Sequence, residues 1–205
     1  MAMLQLAETN LAESMDALCG NAFSLEKIKK REKRIDYINY EITNYMTLVS
    51  SLKMNESDST TCNALYKCFS DIERIGDHAM NLAEYAQTIK EKNLGFSDTA
   101  RDEIKTMEGI CGEAMDILLA ASRGEHIDLV RAEELEQTMD DTTVQFRQNQ
   151  IARMRVGHCN VESSILYSEM LTDYERIGDH VLNIAQAFAA IEGAPMEETA
   201  AAAQA

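Results

Sequence analysis

Apolar residues recur at spacings of three and four along most of the chain, and the recurrence breaks only at small or polar clusters. The breaks fall at residues 20–24, 55–59, 93–97, 122–124 and 157–160. Six segments of helical period remain, about 3–20, 25–54, 58–92, 98–122, 125–156 and 160–191. Ser97 ahead of Asp98, and Asn160 ahead of Glu162, are N-cap candidates with an acid in the first turn. Gly95, Gly124 and Gly157 suit helix ends. In the third segment Ile72, Ile75, Ala79, Leu82 and Ala86 form one stripe for burial. At about 100° per residue, Glu73, Asp77 and Glu84 lie close to the opposite face. The pattern predicts an all-α protein with acids turned outward.

The string ERIGDH occurs twice, at Glu73–His78 and again 102 positions later at Glu175–His180. The likeness extends to Asp71 and Asp173, Asn81 and Asn183, and Ala83 and Ala185. Six helices and an internal repeat give two tandem three-helix bundles, residues 1–95 and 96–195, with residues 196–205 as a flexible tail. A duplicated core would repeat its apolar pattern, whereas this chain repeats its acids to the letter. That points to a site.

Composition narrows the chemistry. Pro occurs once, at Pro195, so long helices are unbroken. Acids outnumber bases 35 to 19, a formal charge of −16, which disfavours nucleic acid as a partner and attracts cations. Cys19, Cys62, Cys68, Cys111 and Cys159 include no C-x-x-C pair, so neither a disulfide framework nor a thiolate zinc site is expected; they read as buried small apolar residues. No signal peptide and no run of about 18 apolar residues is present. The chain opens directly on a helical pattern, Met3 to Leu18, which reads as a domain excised from something longer.

Glu73 and Asp77 sit four apart on one helix face, as do Glu175 and Asp179. The preceding helix of each half carries the same spacing, at Glu32 and Asp36 and at Glu136 and Asp140. Neighbouring helices lie roughly 8–10 Å apart, so two pairs can converge in each half. Four carboxylates with no thiolate suit hard cations. The plain alternative is a solvated acidic face, and Lys29, Lys30, Lys33 and Arg34 can neutralise Glu32 and Asp36. His78 and His180 can ligate a metal, bridge to a partner or donate to a neighbouring helix. None of the four histidines follows a Glu by three residues, so the di-iron Glu-x-x-His signature is absent. His126 and His158 look like capping or surface residues. Gly76 and Gly178 are mid-helix, where each costs about 1 kcal/mol relative to Ala. Close approach of a neighbouring helix is the favoured reason, room for a ligand the other. No nucleophile–base pair, phosphate-cradling loop or H-E-x-x-H string supports catalysis.

The stretches DIERIGDHAMNLAEYA (71–86) and DYERIGDHVLNIAQAFA (173–189) resemble the PhoU family of phosphate-uptake regulators. The stretch RMRVGHCNVESSILYSEMLTDYERIGDHVLNIA (153–185) is similar to the PhoU-like region at the C-terminus of bacterial sodium/phosphate cotransporters. The resemblance implies a regulator of phosphate transport and homeostasis at the inner, cytoplasmic face of the cell membrane, not an enzyme. The cotransporter domain is the first expectation; a free-standing PhoU-type regulator and a metal-free helical interaction module are the alternatives. The implied partners are a phosphate transporter or its membrane domain and a signalling protein, with homo-oligomers among the family's assemblies. The implied cofactors are iron, manganese, magnesium or zinc ions, in multinuclear form. The ligands carried over are Glu32, Asp36, Glu73, Asp77, Glu136, Asp140, Glu175 and Asp179.

Overall fold

The computed structural model describes residues 2–157 and 160–193, so His158, Cys159, Pro195 and the expected tail lie outside the described residues. Six helices follow one another: α1 (Ala2–Leu18), α2 (Leu25–Ser50), α3 (Glu56–Glu91), α4 (Asp98–Ser122), α5 (Leu129–Arg155) and α6 (Val161–Glu192). No strand occurs among the described residues. α1, α2 and α3 pack on one another, α4, α5 and α6 do the same, and α3 lies along α6. The expected stripe of Ile72, Ile75, Ala79, Leu82 and Ala86 is buried in full. Its Ile72, Ile75, Ala79 and Leu82 join the buried residues of α4 and α6 in one continuous core that crosses from one bundle to the other.

Local chemistry explains the boundaries. Ser97 accepts from the Ala100 N–H and Asn160 from the Glu162 N–H, as the sequence predicts. Ser24, Asn55 and Asp128 cap α2, α3 and α5 in the same way, each contributing about 1 kcal/mol. The Asn55 cap starts α3 two residues earlier than expected. The Asp128 cap starts α5 later than expected, at Leu129, and residues 125–128 form a connector instead. Its Ile127 is buried, and its N–H donates to Glu192. Gly124 and Gly157 take positive φ after α4 and α5, but after α3 that role falls to Asn93, at φ 50°, rather than to Gly95. Asn tolerates this region better than other side chains.

The cysteine reading needs correction. Among the described residues only Cys68 and Cys111 are buried; Cys62 is half-buried, and Cys19 is exposed and donates to Glu108. An ion pair inside the second bundle was not legible in the sequence. Glu103, almost wholly buried, receives Arg153 at 2.8 Å, Asn149 at 2.8 Å and the Tyr167 hydroxyl. Burial alone would raise its pKa, yet these donors and the Arg153 charge outweigh that and lower it.

The mid-helix glycines are close-approach points. A Cβ on Gly76 would sit 3.1 Å from Ile35 Cδ1, and one on Gly178 would sit 3.4 Å from Met139 Cγ. Ile35 is fully buried and branched, whereas Met139 is flexible. Gly76→Ala is therefore expected to be neutral to destabilising by about 2 kcal/mol, because overpacking offsets the gain in helix propensity. Gly178→Ala keeps the propensity gain and should stabilise by up to about 1 kcal/mol. Thermal denaturation of the two variants checks this; equal shifts of the same sign would contradict the packing reason.

Candidate metal centre

Ile35 and Met139, the residues that seat against the two glycines, each directly precede an aspartate, Asp36 and Asp140. The close approach of α2 to α3 thereby sets Asp36 against Asp77, one residue past Gly76. α5 and α6 repeat the arrangement with Asp140 and Asp179. Glu32, Asp36 and Asp77 each place one carboxylate oxygen within 4.8 Å of the others, and Glu136, Asp140 and Asp179 form a second such group. Two oxygens on opposite sides of a hard cation, at metal–oxygen distances of roughly 2.0–2.6 Å, lie about 4–5 Å apart. The donor set and spacing fit such an ion, with open positions left for water or further oxygens.

Glu73 and Glu175 fall outside these two groups. The sequence expected four carboxylates per half; the structure gathers three, with the fourth one helical turn away on the same face. Glu175 is engaged by Arg147 at 3.6 Å. Glu73 is half-buried, and burial, then Asp77 and Asp36, raise its pKa. The acids face outward as expected, with Asp36, Asp77 and Glu84 exposed, and they line the open edge of a seam between two helices. The outlying Glu84 pairs with Lys29 at 3.3 Å.

The electrostatics record uncompensated like charge. Burial, followed by Asp36 and Asp77, pushes Glu32 up to about 7. Asp77 is raised by burial and then by Asp36. Glu136 is raised by burial and Asp140, and Asp140 by burial and Asp179. Of the basic flank of α2, Lys33 lowers the Glu32 pKa only as a minor influence and forms no ion pair with it among the described residues. Lys29 goes to Glu84 and Arg31 to Glu13, and no ion pair to Glu32, Asp36 or Asp77 occurs among the described residues. The second half is the better neutralised one, with Arg176 3.0 Å from Asp179.

Stability should follow from the Glu32 shift. Its folded pKa, about 7, lies above the ordinary glutamate value of 4.5. Between these values the folded chain holds a proton that the unfolded chain has released, so this contribution is full below the lower value and lost as pH rises through the upper one. In chelator, Glu32→Gln should gain melting temperature over the parent chain as pH rises from 5 to 7.5. A difference that stays flat with pH would contradict the shift.

The other half of the repeated motif does a different job. His78 lies 2.6 Å from Asp173 across the α3–α6 contact, and His180 lies 2.8 Å from Asp71. A carboxylate only accepts, so each Nδ1 carries the hydrogen and donates it. Asn81 donates to Asp173 at 3.1 Å and Asn183 to Asp71 at 3.4 Å. The two imidazoles stack with centroids 5.5 Å apart. Each repeat thus supplies His and Asn to the other repeat's Asp, about a pseudo-twofold axis. Of the three roles open to these histidines, donation to a neighbouring helix is the one observed. The signal was present in the pairs Asp71/Asp173 and Asn81/Asn183, which share the motif's period. His126 is exposed and pairs with Glu192.

Comparison with known proteins agrees with this architecture. The PhoU domain family model matches residues 1–86 and 104–188. A phosphate-specific transport system accessory protein, PhoU homolog 1 of Thermotoga maritima, is 26% identical over 207 aligned positions, covering 96% of this chain and 85% of that protein. A PhoU homolog of Rhizobium meliloti is 31% identical over 83 positions, covering 40% of this chain and 34% of its own length. Among solved structures, PhoU from Pseudomonas aeruginosa superposes with a TM-score of 0.81 at 20% identity, covering 91% of this chain and 90% of its own. The PhoU regulatory protein from Streptococcus pneumoniae gives 0.62 at 19% identity, covering 94% of this chain and 92% of its own. The duplicated bundles, the repeated motif and the family match together make this chain a member of the PhoU family.

Proposed function

We propose that this chain is a PhoU-type regulator of phosphate transport whose two carboxylate groups hold hard metal ions. PhoU-family proteins are regulatory accessory proteins rather than enzymes. The near full-length likeness to a phosphate-specific transport accessory protein supports the free-standing regulator over the cotransporter domain first expected. The observation that carries the metal reading is the duplicated triad, Glu32, Asp36 and Asp77 in one half and Glu136, Asp140 and Asp179 in the other. Burial and like charge raise the pKa of Glu32, Asp77, Glu136 and Asp140. Iron, manganese, magnesium or zinc would sit there, with Glu73 and Glu175 one turn away as reserve ligands for a larger cluster. A bound cation reverses the sign of a patch on a strongly acidic protein, and so changes its affinity for a partner. The partner in this reading is a phosphate transporter at the inner face of the membrane. No helix among the described residues is long and apolar enough to cross a membrane.

The test is made in cells that depend on this chain for normal phosphate control. Asp77→Asn with Asp179→Asn should leave helix content unchanged, abolish metal binding and alter phosphate uptake, most directly by releasing a restraint. A folded, metal-free variant with unaltered phosphate handling under both scarce and plentiful phosphate would remove the regulatory role of the metal.

A further inference from the structure

The pseudo-twofold axis that relates the two halves makes their differences informative. Beside the Asp71–His180 contact, α3 and α6 border a groove of about 560 Å³, open on one side. That volume lies in the range of small-molecule sites. The same offset of 102 residues that superposes the motifs identifies the equivalent region beside Asp173. There Tyr85 and Leu166 stand where the groove has Ala187 and Ala64. Tyr85 is half-buried and packs against the continuous core, and burial and Asp173 raise the pKa of its phenol. One side of the axis carries the large side chains of Tyr85 and Leu166; the other has alanines at these positions and borders the groove.

The charges differ in the same sense. The Tyr85 side carries Glu162, Glu169 and Glu84. The equivalent groove positions are Thr60, Lys67 and Gln186. Three carboxylates have become a hydroxyl, an ammonium and an amide, a change from −3 to +1 in a chain of net charge −16. Lys67 makes no ion pair among the described residues, unlike Lys92, which meets Glu162 on the Tyr85 side. The one acid of the groove, Asp71, is taken up by His180 and Asn183. Asn63 adds a further amide where the Tyr85 side has Ile165. The groove offers the Lys67 ammonium and the amides of Asn63 and Gln186 as donors, and Lys67 has no ion-pair partner among the described residues.

We infer that this groove binds a small organic anion of about nucleotide size, its phosphoryl or carboxylate group on Lys67 and its polar body against the amides of Asn63 and Gln186. The site is separate from the acidic seams, which lie between α2 and α3 and between α5 and α6. The two sources of such a group, a nucleotide and a polycarboxylate, are distinguished by the probes.

The experiment uses chelated protein, so that no metal at the seams recruits the anion. Adenosine monophosphate, citrate and inorganic phosphate are titrated up to 10 mM and followed by amide NMR and calorimetry. Two variants transplant residues from the opposite half: Lys67→Glu and Ala187→Tyr, with folding checked by circular dichroism. At least one organic probe should bind, with shifts confined to the groove, and each variant should weaken it tenfold or more. Adenosine monophosphate alone would mark a nucleotide site, and citrate a carboxylate site. Failure of both organic probes, or binding that both variants leave unchanged, would overturn the proposal. Phosphate binding alone would overturn the size argument and with it the inference. Lys67→Ala keeps the test open should Ala187→Tyr fail to fold, since Lys67 is exposed. None of these outcomes bears on metal binding at the seams.

Discussion

Asp173→Ala is expected to destabilise the protein by about 2–5 kcal/mol, because two donors lose their common acceptor at once. Asp173 is 5% exposed, and its carboxylate takes both the His78 imidazole and the Asn81 amide. Water has little access to replace it. An unsatisfied buried polar group costs about 1–3 kcal/mol, and two are created. For a chain of this length each kcal/mol corresponds to roughly 2–4 °C in melting temperature. The pseudo-symmetric Asp71→Ala should cost clearly less. Its side chain is 15% exposed against 7% for Asp173, and it borders the open groove, so water can satisfy His180 and Asn183. Chemical denaturation of both variants checks the order. A loss below 1 kcal/mol at Asp173 would show that the α3–α6 contact rests on apolar packing alone, and equal losses would remove the role given to water access.

Manganese or iron(II) added to metal-free protein should raise the melting temperature by about 5–10 °C at a free concentration near a hundred times the dissociation constant. Mass action supplies about 2.7 kcal/mol under that condition. The ion also relieves the repulsion that raises Glu32 and Asp77. The two halves should not contribute equally. In the second, Arg176 must yield Asp179, and Arg147 holds the adjacent Glu175; among the described residues no ion pair reaches Glu32, Asp36 or Asp77. Asp77→Ala should therefore remove the larger share of the metal-induced shift, and Asp179→Ala the smaller. The double variant should show none. Metal analysis alongside differential scanning calorimetry measures this; a wild-type protein indifferent to manganese, iron, magnesium and zinc would remove the metal site.

How far the site was legible depends on the distance over which its residues interact. The pairs Glu32/Asp36, Glu73/Asp77, Glu136/Asp140 and Glu175/Asp179 are i,i+4 neighbours, so helical period alone puts each pair on one face. Their recurrence in register pointed to a site before any fold was known. Which acid of a pair faces its neighbour was not legible. Gly76 seats Ile35 and so chooses Asp77 over Glu73; Gly178 seats Met139 and chooses Asp179 over Glu175. The basic run on α2 misled for a related reason. Its sequence neighbours are acids, but its spatial neighbours are Glu84 on α3 and Glu13 on α1, which take Lys29 and Arg31 away.

By itself the sequence determined the number and kind of elements, the duplication and the caps at Ser97 and Asn160, because these rest on residues a few positions apart. It also determined which chemistry the repeated strings could carry. Tertiary structure alone decided that His78 and His180 clasp the two halves, across 95 and 109 residues of chain. It decided, too, that Glu103 would be held by Arg153 across 50 residues, and that α3 and α6 would leave a groove beside Asp71. Such contacts depend on how two helices cross and rotate, and those angles are set by the summed packing of buried side chains rather than by any local pattern.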